Sequence, residues 1–204
     1  LGSNSSVTKY VEIISIGTEL LMGELVDSNS AFIASELTTI GLTLRGVTKI
    51  GDDLNEIKRC IKESLSRTHI LITTAGLGPT SDDLTRESIA SYCGETMDTC
   101  ETLLKELKLR FVERGQEMPA TNLKQATLIR SASAIPNPNG TAPGWFTTGA
   151  GSEPPWPPSK SGAPREPLVV WWAVLGSSGR SLSLRVTTLW RVRRPIPPEG
   201  HCFG

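Results

Sequence analysis

Apolar positions in the first 115 residues switch repeatedly between two spacings. Residues 11–16 read V-E-I-I-S-I, an apolar, β-rich run closed by Gly17, and such a run predicts a buried strand. From 28 to 40, Ala31, Phe32, Ala34, Leu37 and Ile40 recur at helical spacing, with Asp27 or Ser28 as cap and Gly41 as stop. Residues 42–50 are strand-like. Residues 54–68, with Ile57, Ile61 and Leu65 every four positions, predict a helix. H-I-L-I-T-T at 69–74 predicts a third buried strand, which runs into the loop Ala75-Gly76-Leu77-Gly78-Pro79. Helices are predicted over 84–93 and 101–114, and a short one over 121–128.

This alternation of strand and helix specifies βαβ units on a parallel sheet with right-handed crossovers. Ligands in such folds sit at the carboxyl ends of the strands. The loops after Ile16, Ile50 and Thr74 are therefore the places to look for chemistry, and each carries carboxylates or glycines.

Composition narrows the function classes. Of 204 residues, 21 are Lys or Arg and 21 are Asp or Glu, so the net charge is zero and nucleic acid is not the default partner. No apolar run approaches the length of a membrane-spanning helix. Cys60, Cys93, Cys100 and Cys202 include no C-x-x-C pair, so zinc and redox motifs are absent and reduced thiols in a cytoplasmic protein are expected. His69 opens an apolar strand and reads as a packed histidine; Cys60 reads as a small apolar residue on a helix.

The totals conceal a split near Thr148. Residues 1–148 hold 14 basic and 18 acidic residues, net −4, whereas 149–204 hold 7 and 3, net +4. The second segment has nine of the 14 Pro and four of the five Trp, and its only Ile is Ile196. We therefore expect a domain over 10–148 and an irregular tail over 149–204. Residues 168–175 are the run most able to form a strand there, pairing at a sheet edge, with a weaker one near 182–192.

The first strand-end loop carries Gly17, Thr18 and Glu19, then Asp27, Ser28 and Asn29 at a helix start. It reads either as a capped helix after a loop or as an anion site. In the second, Gly51-Asp52-Asp53, one Asp serves as an ordinary cap and the other is free for a metal, a water or a hydroxyl. The third, Gly76-Leu77-Gly78-Pro79-Thr80-Ser81-Asp82-Asp83, is the most informative. Gly76 and Gly78 let successive N–H groups face an anion, and Thr80 and Ser81 can donate to phosphate oxygens. Asp82 and Asp83 would need a divalent cation between themselves and a phosphate. The loop is neither a dinucleotide fingerprint, since position 81 is Ser, nor a P-loop, since no G-K-[ST] follows.

Six motifs in one order carry a resemblance. They are I-S-I-G-T-E-L-L-M-G at 14–23, V-D-S-N at 26–29, G-D-D at 51–53, G-L-G-P-T-S-D-D-L-T-R-E at 76–87, M-P-A-T-N-L-K-Q-A at 118–126 and N-G-T-A-P-G at 139–144. Over about residues 10–144 the sequence resembles the N-terminal domain of the competence/damage-inducible protein A family. That domain is related to the molybdopterin-binding fold of the molybdenum-cofactor adenylyltransferases. The resemblance implies a three-layer α/β fold with a mostly parallel sheet. It also implies metal-dependent hydrolysis of a nucleotide pyrophosphate such as ADP-ribose to AMP and ribose 5-phosphate; the alternatives are a nucleotide- or pterin-binding module without turnover and an inactive truncated product.

By motif, Asp52 and Asp83 would hold a divalent metal (Mg, Mn or Co). Gly76, Gly78, Thr80 and Asp82 fit the phosphate loop; Gly17, Thr18, Glu19 and Asn29 fit the first loop. Asp82 and Asp53 are the candidates to position a water. Homodimers or trimers are typical of the relatives. Two departures stand out. Ala75 occupies a position where the family has Gly, and the family's L-P-G-V-P-x-E-M segment does not follow T-A-P-G. The composition of 149–204 suits a GC-rich gene read out of frame, with a Pro-rich extension as the alternative.

Overall fold

The computed structural model describes residues 10–137 and 140–147, with 169–173 as backbone. Strand β1 (Tyr10–Ile16) is followed by the single turn α1 (Thr18–Leu21) and by helix α2 (Ser28–Thr39). Next come β2 (Thr43–Ile50), α3 (Leu54–Leu65), β3 (Ile70–Thr74) and α4 (Thr85–Cys93). The remainder is β4 (Met97–Thr99), α5 (Glu101–Glu113), a 3-10 helix (Ala120–Ala126), β5 (Thr127–Ile129), β6 (Ala132–Ile135), β7 (Gly144–Thr147) and β8 (Val169–Ala173).

The main sheet has the order β2-β1-β3-β8-β7-β6. Strands β2, β1, β3 and β8 run parallel; β7 and β6 are antiparallel additions. β4 and β5 pair separately as a small antiparallel ribbon. The parallel α/β arrangement expected from the alternating pattern is therefore present, in the three layers that the resemblance implies. Side-chain alternation in β1 and β3 assigns the faces. Ile14, Ile16 and Leu71 pack with Ile57, Ile61 and Leu65 of α3 and Ile89 of α4 on one side. Val11, Ile13, Ile70 and Ile72 pack with Ile33 and Leu37 of α2 on the other. β1 and β3 are covered on both faces, which is why they read as near-continuous apolar runs.

Several expectations change. The short helix expected at 121–128 is a 3-10 turn that becomes strand at Thr127. The strand expected over 168–175 is present as β8, but it lies inside the sheet instead of at an edge. β3 offers it a parallel ladder from Ile70↔Val169 to Thr74↔Ala173, and β7 closes its other side. The strand expected near 182–192 lies outside the described residues. Cys60 and Cys93 are buried free thiols, and Cys202 lies outside the described residues.

Candidate functional site

All the singled-out loop residues lie at the carboxyl end of the parallel strands. Each is placed by the switch from extended to helical backbone. After β1 the chain turns at Gly17, whose N–H donates to Ile50 O of β2 at 2.9 Å. The Glu19 carboxylate folds back over Gly17: a Cβ there would lie 2.5 Å from Oε1. Thr18 links the first two loops. Its N–H and its hydroxyl both donate to Asp52 Oδ2, each at 2.9 Å.

The two aspartates of the second loop divide the work. Asp53 caps α3 by accepting from Glu56 N at 2.8 Å, as an N-cap acid does. Asp52 has one oxygen engaged by Thr18. At the start of α2, Asp27 is the cap, accepting from Ser30 N at 3.0 Å and from Ser15 Oγ at 2.7 Å. Burial raises the Asp27 pKa, but the bonds from Ser30 and Ser15, together with the Lys49 charge, outweigh it and the net direction is down. Asn29 is the second residue of α2 and is half-buried.

The third loop is organised around Asp83. Oδ1 accepts from Gly78 N at 2.8 Å; Oδ2 accepts from Thr80 N at 2.9 Å and from Thr80 Oγ1 at 2.5 Å. A Cβ on residue 78 would lie 2.4 Å from Asp83 Oδ2, so only glycine lets the carboxylate come this close. At Gly76 (φ 64) a Cβ would lie 2.0 Å from Thr85 Oγ1. Burial pushes the Asp83 pKa up, but the Thr80 hydroxyl, the Thr80 and Gly78 amides and the Lys124 charge together pull it below its ordinary value. Ser81 and Asp82 form the exposed tip and share a long 3.3 Å bond.

Ala75 has φ 70, a left-handed conformation that costs a residue with a Cβ about 1 kcal/mol relative to glycine. The chain thus carries the strain that the substitution of Ala for the family's Gly implied.

Two residues that the motifs contained but to which sequence reasoning gave no role hold this loop from either side. Arg86 of α4 is fully buried and donates to Leu77 O and, at 3.3 Å, to Gly78 O. Burial lowers its pKa to about 10, against the opposing charges of Glu87 and Asp83. Lys124 of the 3-10 helix donates to Thr80 O at 2.9 Å and Asp83 O at 2.6 Å and pairs with Glu87 Oε1 at 2.9 Å. No local pattern signals that contact, which spans 44 residues to Thr80. A buried arginine in an amphipathic helix is likewise contrary to its average tendency.

The structure therefore joins Thr18 to Asp52, and Gly78 and Thr80 to Asp83. It does not join Asp52 to Asp83 by any direct bond. Asp83 Oδ2 accepts twice from the loop's own donors and Oδ1 once, so an ion ligated there would share the carboxylate with them. Among the described residues no three Asp, Glu, His or Cys side chains converge as a metal-holding group. Among the described residues, a divalent ion between Asp52 and Asp83 would thus find no third such ligand. Also among the described residues, no helix is long and apolar enough to cross a membrane.

Comparison with known proteins places this geometry. Residues 12–167 match the family model described as "Probable molybdopterin binding domain", so the match runs past the compositional break at Thr148. A CinA-like protein of Deinococcus deserti is 49% identical over 160 residues, which cover 78% of this chain and 39% of that protein. One of Deinococcus radiodurans is 53% identical over 135 residues, covering 66% of this chain and 33% of that protein. The chain thus spans well under half the length of these relatives. The crystal structure of the protein CinA from Thermoplasma acidophilum is similar with a TM-score of 0.68 and 30% identity, over 81% of this chain and 88% of that one. By its motifs, its sheet and these matches, the chain belongs to the CinA-like competence/damage-inducible protein family, to which it contributes the molybdopterin-binding domain.

Proposed function

We propose that the carboxyl end of the sheet binds the phosphates of a nucleotide and hydrolyses a pyrophosphate such as ADP-ribose to AMP and ribose 5-phosphate. The observation that carries this reading is the set of donors from Gly78 N, Thr80 N and Thr80 Oγ1, which converge on the Asp83 carboxylate and which a phosphate would take over from it. A loop that directs amides and a hydroxyl at a carboxylate is built for oxyanions, and a phosphate is the larger member of that class.

Asp52 supports catalysis over simple binding. Thr18 fixes its orientation through one oxygen, so the acid is aimed before substrate arrives. Asp53 is committed to capping α3, which leaves the exposed Asp82 as the acid able to orient an attacking water. A divalent ion (Mg, Mn or Co) enters this proposal as part of the substrate, bound to its phosphates, where it lowers the charge on the reacting group. A homo-oligomer is part of the same proposal and is read by light scattering.

Incubating the purified chain with ADP-ribose and each of the three ions, and separating the nucleotides, tests the reading. Release of AMP with ribose 5-phosphate supports it. Calorimetric binding of ADP-ribose without AMP release replaces it with the binding module, and absence of both overturns it.

A further inference from the structure

The tip of the third loop, Ser81-Asp82, projects beyond two carbonyls that a single cation holds. Lys124 Nζ lies 2.9 Å from Thr80 O and 2.6 Å from Asp83 O, the residues on either side of that tip. The turn's own backbone bond, Asp83 N to Thr80 O, is long at 3.4 Å. The chord of the turn is therefore set more firmly by the ammonium than by the turn itself. Its third contact is Glu87 Oε1 at 2.9 Å on the first turn of α4. An ammonium has three donors, and here each has an acceptor: two in the loop and one in the helix that follows it. The Lys124 side chain is 20% exposed, so these bonds are partly shielded from water. Its own anchor is firm, because Asn122, Gln125 and Ala126 on the same 3-10 helix are buried and Asn122 Nδ2 donates to Gln125 Oε1 at 2.9 Å.

Orientation follows from this. Lys124 fixes the backbone at Thr80 and Asp83, the residues that carry the donors and the acceptor of the bonds from Thr80 N and Oγ1 to Asp83 Oδ2, while Arg86 holds the Leu77 carbonyl, whose peptide carries the Gly78 N–H. The clamp thus acts on the site through the backbone without touching substrate.

We propose that Lys124 is the positioning residue of the phosphate loop, its ammonium bridging Thr80 O, Asp83 O and Glu87 to hold the Ser81-Asp82 tip and the spacing between Thr80 and Asp83 on which the loop's bonds to the Asp83 carboxylate depend. This role rests on the anion-site reading given above. Lys124→Met keeps the length and apolar stem of the side chain and removes the donors. In the full chain, NMR hydrogen exchange at Gly78 and Thr80 is expected to quicken at least about tenfold, while β1 and β3 amides keep the parental rate. The KM for ADP-ribose is expected to rise at least about tenfold per folded enzyme, an effect that loss of folded protein alone would not produce. Unchanged exchange in the loop overturns the proposal whether or not the parent hydrolyses ADP-ribose. So does faster exchange spread evenly over the sheet, or an unchanged KM beside a loosened loop. A parent that neither binds nor hydrolyses ADP-ribose overturns the function instead, and the exchange data still decide the clamp.

Discussion

At the amino end of the sheet, Glu12 of β1 is buried and meets Arg67 through two bonds of 2.7 and 2.8 Å. At the carboxyl end, Asp27, Asp52, Asp53 and Asp83 accept instead from peptide N–H groups and hydroxyls. The first arrangement neutralises a charge within the fold. The second orients its carboxylates chiefly through neutral donors, with the Lys49 and Lys124 charges nearby, and it suits a substrate that brings its own cation. The same residue class thus serves packing in one place and chemistry in the other. The difference lies in whether the donor is a guanidinium or an amide.

Perturbing the amino end should move stability alone. Arg67→Ala strands a buried carboxylate and is expected to cost about 3 kcal/mol, with the ADP-ribose KM unchanged; urea unfolding and steady-state kinetics check both. A shifted KM would break the contrast between the two ends. Perturbing the third loop should move both quantities. Asp83→Ala leaves the Gly78 and Thr80 amides without their acceptor and is expected to cost about 2 kcal/mol. Turnover of ADP-ribose should fall about 100-fold in the same variant, because the loop loses its shape. Ala75→Gly relieves the left-handed strain and should stabilise by about 1 kcal/mol, raising the melting temperature by about 2–4 °C in calorimetry.

The smallest effect is in acid. Asp27 and Asp83 titrate below the ordinary carboxylate value in the folded state. Stability from such groups is fully present above the unfolded pKa of about 3.9 and is lost as pH falls through the lower folded values. Unfolding free energy should therefore decline below about pH 4, and Asp83→Asn should flatten that decline.

The parallel half of the fold was legible because its strands and helices are long enough to show their period. β1, α2, β2, α3, β3 and α4 fall within a few residues of the boundaries that the apolar spacing predicts. β4, β5, β6 and β7 were not legible. With three or four residues each, they are too short to display alternation, and their pairing is decided by tertiary neighbours. The single turn α1 was read as loop for the same reason. In the site, the glycines and aspartates announced themselves by motif, but their bonding did not. The motif offered Asp83 for a metal and gave no sign that its oxygens also accept from the amides and hydroxyl of its own loop. Lys124 and Arg86 escaped notice because their contacts are made by packing between elements.

Asp52 gives the most direct test of a working carboxyl end. Asp52→Asn keeps an oxygen for the Thr18 N–H and hydroxyl and removes only the charge, so the fold should persist. AMP release from ADP-ribose is measured for the parent and for Asp52→Asn, alongside their melting temperatures. The account predicts turnover by the parent and a loss of about 100-fold in the variant, with melting temperatures that agree closely. Equal rates of AMP release from the two proteins would contradict it.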